Sequence, residues 1–144
     1  MSETLDWELM SGSERESAKM LAESDPLTFT RVWFQLMQAE KLKPNWHLRY
    51  YNWVAKKVLN RELQNVIVNV PPGSTKTEFW SIHLPAFCFA KYKKVRILNT
   101  SYSRELASEN SERTRTLIKS EEWSDCYIHD IGKDKVDDWT INDD

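Results

Sequence analysis

From residue 25 onward the apolar positions fall into a readable rhythm. Asp25 can cap a helix and Pro26 suits its first position. Phe29, Val32, Trp33, Leu36 and Met37 then recur at i, i+3, i+4, i+7 and i+8, which is one apolar stripe of a helix. Residues 41 to 45, Lys-Leu-Lys-Pro-Asn, break that helix, and Asn45 can cap the next one. There His47, Tyr50, Tyr51, Val54, Ala55 and Val58 share a face, with Arg49, Lys56, Lys57 and Arg61 on others. At residues 64 to 70 the rhythm changes to a nearly unbroken β-branched and apolar run, the pattern of a strand buried on both faces. Residues 77 to 92 read as a helix that Pro85 kinks or divides. Residues 95 to 102 read as a second strand, and Ser101 or Ser103 can cap a polar helix from 104 to about 120, anchored by Leu106, Ala107, Leu117 and Ile118. Beyond residue 122 the pattern fades, with a short strand at 136 to 141. Residues 1 to 24 read as a weak helix or partly ordered arm that Gly12 interrupts, and 11 to 16 as solvated surface.

Strand, helix, strand, helix predicts an α/β fold with a parallel sheet and right-handed crossovers. A chain of 144 residues, 40% hydrophobic, suits one domain with a core of its own. The net charge of −2 excludes a global nucleic-acid signature, so any such contact is local. Seven Trp residues point to packed helices or stacking surfaces, with core packing the plainer reading. Cys88 and Cys126 match no zinc or redox spacing, and Cys88 reads as a buried small hydrophobe. The three His residues form no ligand cluster, and no apolar run is long enough to span a membrane. The chain reads as cytosolic and reduced.

The chemistry concentrates at residues 66 to 78, Val-Ile-Val-Asn-Val-Pro-Pro-Gly-Ser-Thr-Lys-Thr-Glu. An apolar strand enters a Pro/Gly/Ser/Thr turn, and Lys-Thr opens a helix. That order places backbone N–H groups and a helix N-terminus around phosphate oxygens. Lys76 would reach the β- and γ-phosphates, and the Thr77 hydroxyl would ligate Mg²⁺. Against the pattern G-x-x-x-x-G-K-[ST], Val70 stands at the first Gly and Thr75 at the second. Thr75 therefore either takes a different loop path or tolerates strain, with Gly73 as the other source of flexibility. The plain alternative is a turn with an exposed Lys.

Four stretches, in order, resemble the N-terminal part of the large terminase subunit of tailed bacteriophages, the ATPase that packages DNA. They are Pro44-Asn45-Trp46-His47, residues 65 to 78, residues 79 to 90 with Leu84-Pro85-Ala86, and Asn99-Thr100-Ser101-Tyr102-Ser103 with Glu105-Leu106-Ala107, continuing to Trp123. The resemblance implies a P-loop NTPase-type parallel sheet, cut short, preceded by a helical lid-like segment. The division would be 1–60 for the lid-like helices and 61–144 for an incomplete P-loop ATPase core. It makes Lys76 the catalytic phosphate lysine and Thr77 the metal hydroxyl. Gly73, Ser74 and Thr75 would lie along the phosphates of ATP, Trp46 and His47 near the adenine, and Tyr102 and Ser103 in a motif coupling nucleotide state to movement. The partners implied are ATP with Mg²⁺, duplex DNA, a portal protein, the small terminase subunit and a homo-oligomeric ring, in the cytoplasm of a bacterial host.

The departures from that family are equally specific. Its members often carry Arg where Gly73 stands and Gly where Thr75 stands. The acidic Walker B strand and the nuclease domain have no counterpart, so the chain reads as ending before the middle of the ATPase domain. Asp137-Asp138 and Asp143-Asp144 read as a solvated tail rather than as the missing acids. The expectation is nucleotide binding with little or no ATP hydrolysis by this chain. The alternatives are a non-catalytic prophage remnant, a nucleotide- or partner-binding module, and another helicase-like P-loop ATPase.

Overall fold

A computed structural model describes residues 6–92, 94–127, 130–135 and 138–142. The fold is mostly helical. The elements are α1 (Gly12–Ala22), α2 (Pro26–Gln38), α3 (Trp46–Leu59), a π-helical turn (Glu78–His83) running into α4 (Leu84–Lys91), α5 (Arg104–Ile118), α6 (Glu121–Cys126), β1 (Asp130–Lys135) and β2 (Asp138–Asn142).

The helix starts follow from their caps. Asp25 Oδ1 accepts the N–H groups of Leu27 and Thr28 at 3.0 and 3.1 Å, and Pro26 opens α2. Ser103 caps α5 by accepting from the Leu106 N–H. Asn45 occupies the cap position of α3 without a side-chain hydrogen bond. Gly12 does not interrupt a helix but begins one: Ser11 and Glu14 form a capping box ahead of it. The Trp7 indole donates to Asp125 at 2.9 Å, and Arg15 pairs with the same carboxylate at 2.8 Å, so this N-terminal stretch is tied to α6.

Two apolar clusters form the core. The larger joins Trp7, Phe29, Trp33, Phe87, Leu117 and Trp123 with their neighbours. Trp33 and Trp123 lie with ring centroids 5.2 Å apart, and Phe29 meets Phe87 edge-on at 5.5 Å. The smaller joins Leu27, Leu48, Tyr51, Ala55 and Phe79. Leu84 packs against both, so the helix that follows the loop is their common wall.

The parallel sheet expected from the sequence is not present. The only sheet among the described residues is the antiparallel pair β1–β2, in which Ile131 faces Ile141 and Lys135 faces Asp138. Residues 65–71 and 95–101 form no strand and join no ladder. The burial on both faces expected of residues 64 to 70 is not met: Val68 and Val70 pack on the smaller cluster, while Ile67 is 95% exposed, and in the second stretch Leu98 is 88% exposed. A β-rich run becomes a central strand only when neighbours satisfy its backbone on both edges, and neither stretch has such a neighbour here. The P-loop NTPase-type sheet is therefore replaced by a helical fold with one hairpin. Its second strand overlaps the short strand expected at 136 to 141, of which 136 and 137 lie outside the described residues.

Candidate phosphate-binding site

The turn expected at residues 71 to 75 exists, and its backbone is unusual. Gly73 has φ +77° and Thr75 φ +60°, with Ser74 between them on the negative side. Alternation of this sign turns successive N–H groups toward a common concavity, the arrangement that binds anions. Among the described residues two other non-glycines have positive φ, Ala39 and Arg61, and both close helices. Thr75 does the reverse and precedes one: helical backbone begins at Lys76, and the Phe79 N–H donates to the Thr75 carbonyl at 3.0 Å. A β-branched residue in that conformation carries strain of about 1–2 kcal/mol. Of the two courses open to Thr75, the loop takes the strained one.

Lys76 and Thr77 occupy the first helical positions and are exposed. With Val66, Val68, Trp80 and Ser81 they line a cleft of ≈ 330 Å³. Ser74 Oγ is buried with no partner among the described residues. His47 does not touch the loop in any hydrogen bond. Rings join it to the helical turn that follows the loop: His47 to Tyr51 at 5.7 Å, Tyr51 to Phe79 at 5.6 Å and to Trp80 at 5.9 Å. The polar atoms His47 Nε2, Tyr51 Oη and Trp80 Nε1 are also buried without hydrogen-bond partners among the described residues. Such groups are costly unless something completes them. Trp46, expected beside the adenine, is 79% exposed. Tyr102 is 96% exposed, and the Ser103 hydroxyl is committed to capping α5.

The structure adds a group that sequence reasoning passed over. Glu78, the residue after Thr77, pairs with Arg113 of α5, and its Oε2 lies 3.7 Å from His83 Nε2. Burial works against ionisation of Glu78, but His83 and Arg113 outweigh it and hold the carboxyl below its ordinary value. Burial pushes the His83 imidazole below its ordinary value, which keeps it neutral near pH 7. Residues five apart do not meet on a regular α-helix, so nothing in the spacing of Glu78 and His83 announced the contact. The π turn brings them together. Pro85 was the available signal, since it removes an N–H donor from this stretch. Thr114 Oγ1 lies 3.4 Å from the carbonyls of Ser81 and Ile82 just ahead of it.

What the site offers a phosphate is a loop of alternating φ sign, the start of a helix, the exposed Lys76 cation and the Thr77 hydroxyl. Glu78, the first acid after the loop in sequence, is already paired with Arg113. For Mg²⁺ the protein offers the Thr77 hydroxyl, and among the described residues no three His, Cys, Asp or Glu side chains cluster as a metal site. The thiols take no part, because burial raises both Cys88 and Cys126 to about 11. No helix among the described residues is long and apolar enough to cross a membrane. Compared with protein-family models, curated proteins and solved structures, the chain finds no match in any of the three.

Proposed function

We propose that residues 71–78 bind the phosphates of a nucleoside triphosphate, ATP with Mg²⁺ in the reading drawn from the terminase resemblance. The observation that carries this is the strained left-handed Thr75 directly ahead of Lys76 and Thr77. Backbone strain of this kind persists at ligand clamps, where the surrounding structure over-determines it. Gly73 and Ser74 would line the phosphates with their N–H groups, Lys76 would counter the terminal phosphate charge, and Thr77 would share the metal that the nucleotide brings. His47 would lie on the base side, through Tyr51 and Trp80. The bound metal supplies charge neutralisation on the phosphates. In a terminase-type ATPase this binding would serve DNA packaging, with duplex DNA, portal and small subunit as partners of a ring.

Hydrolysis needs a group that orients the attacking water and acids that complete the metal site. The residues around the loop supply neither, so this chain is expected to bind without turnover. The test is equilibrium binding of a fluorescent ATP analogue with Mg²⁺, run beside Lys76→Ala. Saturable binding lost in the variant supports the reading. A folded wild-type protein that binds no analogue overturns it and leaves the loop as a plain turn. Robust ATP turnover abolished by Lys76→Ala would instead overturn the expectation of inactivity.

A further inference from the structure

The outward face of α3 carries large aromatic rings that the described residues leave exposed. Trp46 is 79%, Tyr50 57% and Trp53 52% exposed, while Leu48, Tyr51, Val54 and Ala55 of the same helix are buried. Positions 46, 50, 53 and 57 fall on one stripe at i, i+4, i+7 and i+11. Tyr50 and Trp53 stack with centroids 5.6 Å apart and planes 27° apart, and Lys57 Nζ sits 5.0 Å over the Trp53 ring. At about 1.5 Å per residue the stripe is roughly 16 Å long.

Charge selects the occupant. Residues 41 to 61 carry six Lys and Arg and no Asp or Glu, although the chain as a whole has a net charge of −2. All 22 acidic residues lie outside this stretch. Glu62, just beyond it, pairs with Lys57 at 2.8 Å. An apolar partner would want the rings without the cations. An anionic partner with exposed flat faces wants both.

We infer that the Trp46–Tyr50–Trp53 stripe of α3, flanked by Arg49 and Lys57, is a stacking platform for single-stranded nucleic acid. Unpaired bases lay their faces on aromatic rings while the cations follow the phosphates. A duplex hides those faces in its own stack, so it would use only the charges. The inference does not rest on the phosphate-loop reading, because it uses neither Lys76 nor Thr77.

The experiment is fluorescence anisotropy of a fluorescein-labelled oligothymidylate, titrated with the full chain at several salt concentrations. Binding should weaken with salt, and Trp46→Ala and Trp53→Ala should each weaken it about tenfold. Trp53→Phe should restore most of the loss, and Arg49→Gln should reduce the salt slope by about 0.7. Because the substituted rings are exposed, unchanged circular dichroism and melting temperature show that the fold is intact. Lys76→Ala should bind the oligonucleotide like wild type, which separates this site from the loop. Three outcomes overturn the inference: no binding at low salt, binding untouched by either Trp→Ala change, or a matched duplex bound as tightly as the single strand. Self-association in ultracentrifugation that Trp53→Ala abolishes, without oligonucleotide binding, also overturns it and makes the stripe a protein interface.

Discussion

The stretches around Phe29 and around Ile67 are similarly apolar and end in opposite environments. Phe29 is fully buried and Ile67 is 95% exposed. The difference lies in the backbone. A helix satisfies its own N–H and C=O groups and needs only one covered face, so α2 can bury Phe29 and Trp33 against α4 and α6. An extended segment must borrow its hydrogen bonds from a neighbour. Residues 65–71 and 95–101 have no ladder to join, and their outer side chains stay in water. Apolar character decides what a segment gains from burial, and lateral pairing decides whether an extended one is buried at all.

Substitutions can break this contrast at either end. The largest effect is expected at Trp123, fully buried against Trp33, Phe29 and Tyr127. Trp123→Ala should cost about 3–5 kcal/mol in a denaturant titration. Arg113→Met should cost about 2 kcal/mol, because it leaves Glu78 half-buried and unpaired, and the partial exposure of the pair keeps the figure below that of a fully buried one. The same cluster sets a pH dependence. His83 titrates below its ordinary 6.5 in the folded protein, so the unfolded chain takes up that proton first. Its contribution is present above pH 6.5 and is lost as pH falls below it. Glu78, held below its ordinary 4.5, adds a second loss under pH 4.5. Melting temperatures across that range should fall on acidification, and His83→Gln should flatten the upper part of the curve.

Smaller effects sharpen the contrast. Thr75→Gly relieves a left-handed threonine but loosens the unfolded chain, so stability should rise by less than about 1 kcal/mol. Affinity for the ATP analogue should hold or improve, and a loss would mean that the Thr75 side chain itself contacts the ligand. Ile67→Thr should change stability by no more than about 0.5 kcal/mol. A cost near that of a core residue would show that residues 65–71 are covered in solution.

The helices were legible because their signals are local. Asp25-Pro26, the Phe29 to Met37 stripe and Ser103 each act within a turn or two, and α2 and α5 form where they predict. The loop at 72–75 was legible for the same reason, and so was the break at Pro85. What failed was non-local. Whether residues 64 to 70 join a sheet depends on partners that no spacing within the segment can reveal. The Trp residues shared one plain reading and divided: Trp33 and Trp123 went to the core, Trp46 and Trp53 to the surface. Tyr50 was placed on the same face as Tyr51, yet only Tyr51 is buried. The Glu78–His83 contact needed a helical period of neither 3.6 nor 2.

That irregular turn has a consequence for how the chain tolerates insertion and deletion. A π turn holds one residue more than the α turn it replaces. Deleting a single residue between Glu78 and His83 could restore regular helix without breaking the chain. The six residues of the turn sweep about the same angle as five residues of regular α-helix, roughly 500°, so the loop side would keep its facing relative to α4 and shift only slightly along the axis. Lys76 and Thr77 would stay on the same side of the helix. Glu78 and His83 would then stand four apart, a spacing that regular helix also brings together. A deletion within α4 itself has no such slack and would turn everything before it by about 100°. The irregular turn is thus a place where the segment can lose a residue and keep the loop aimed.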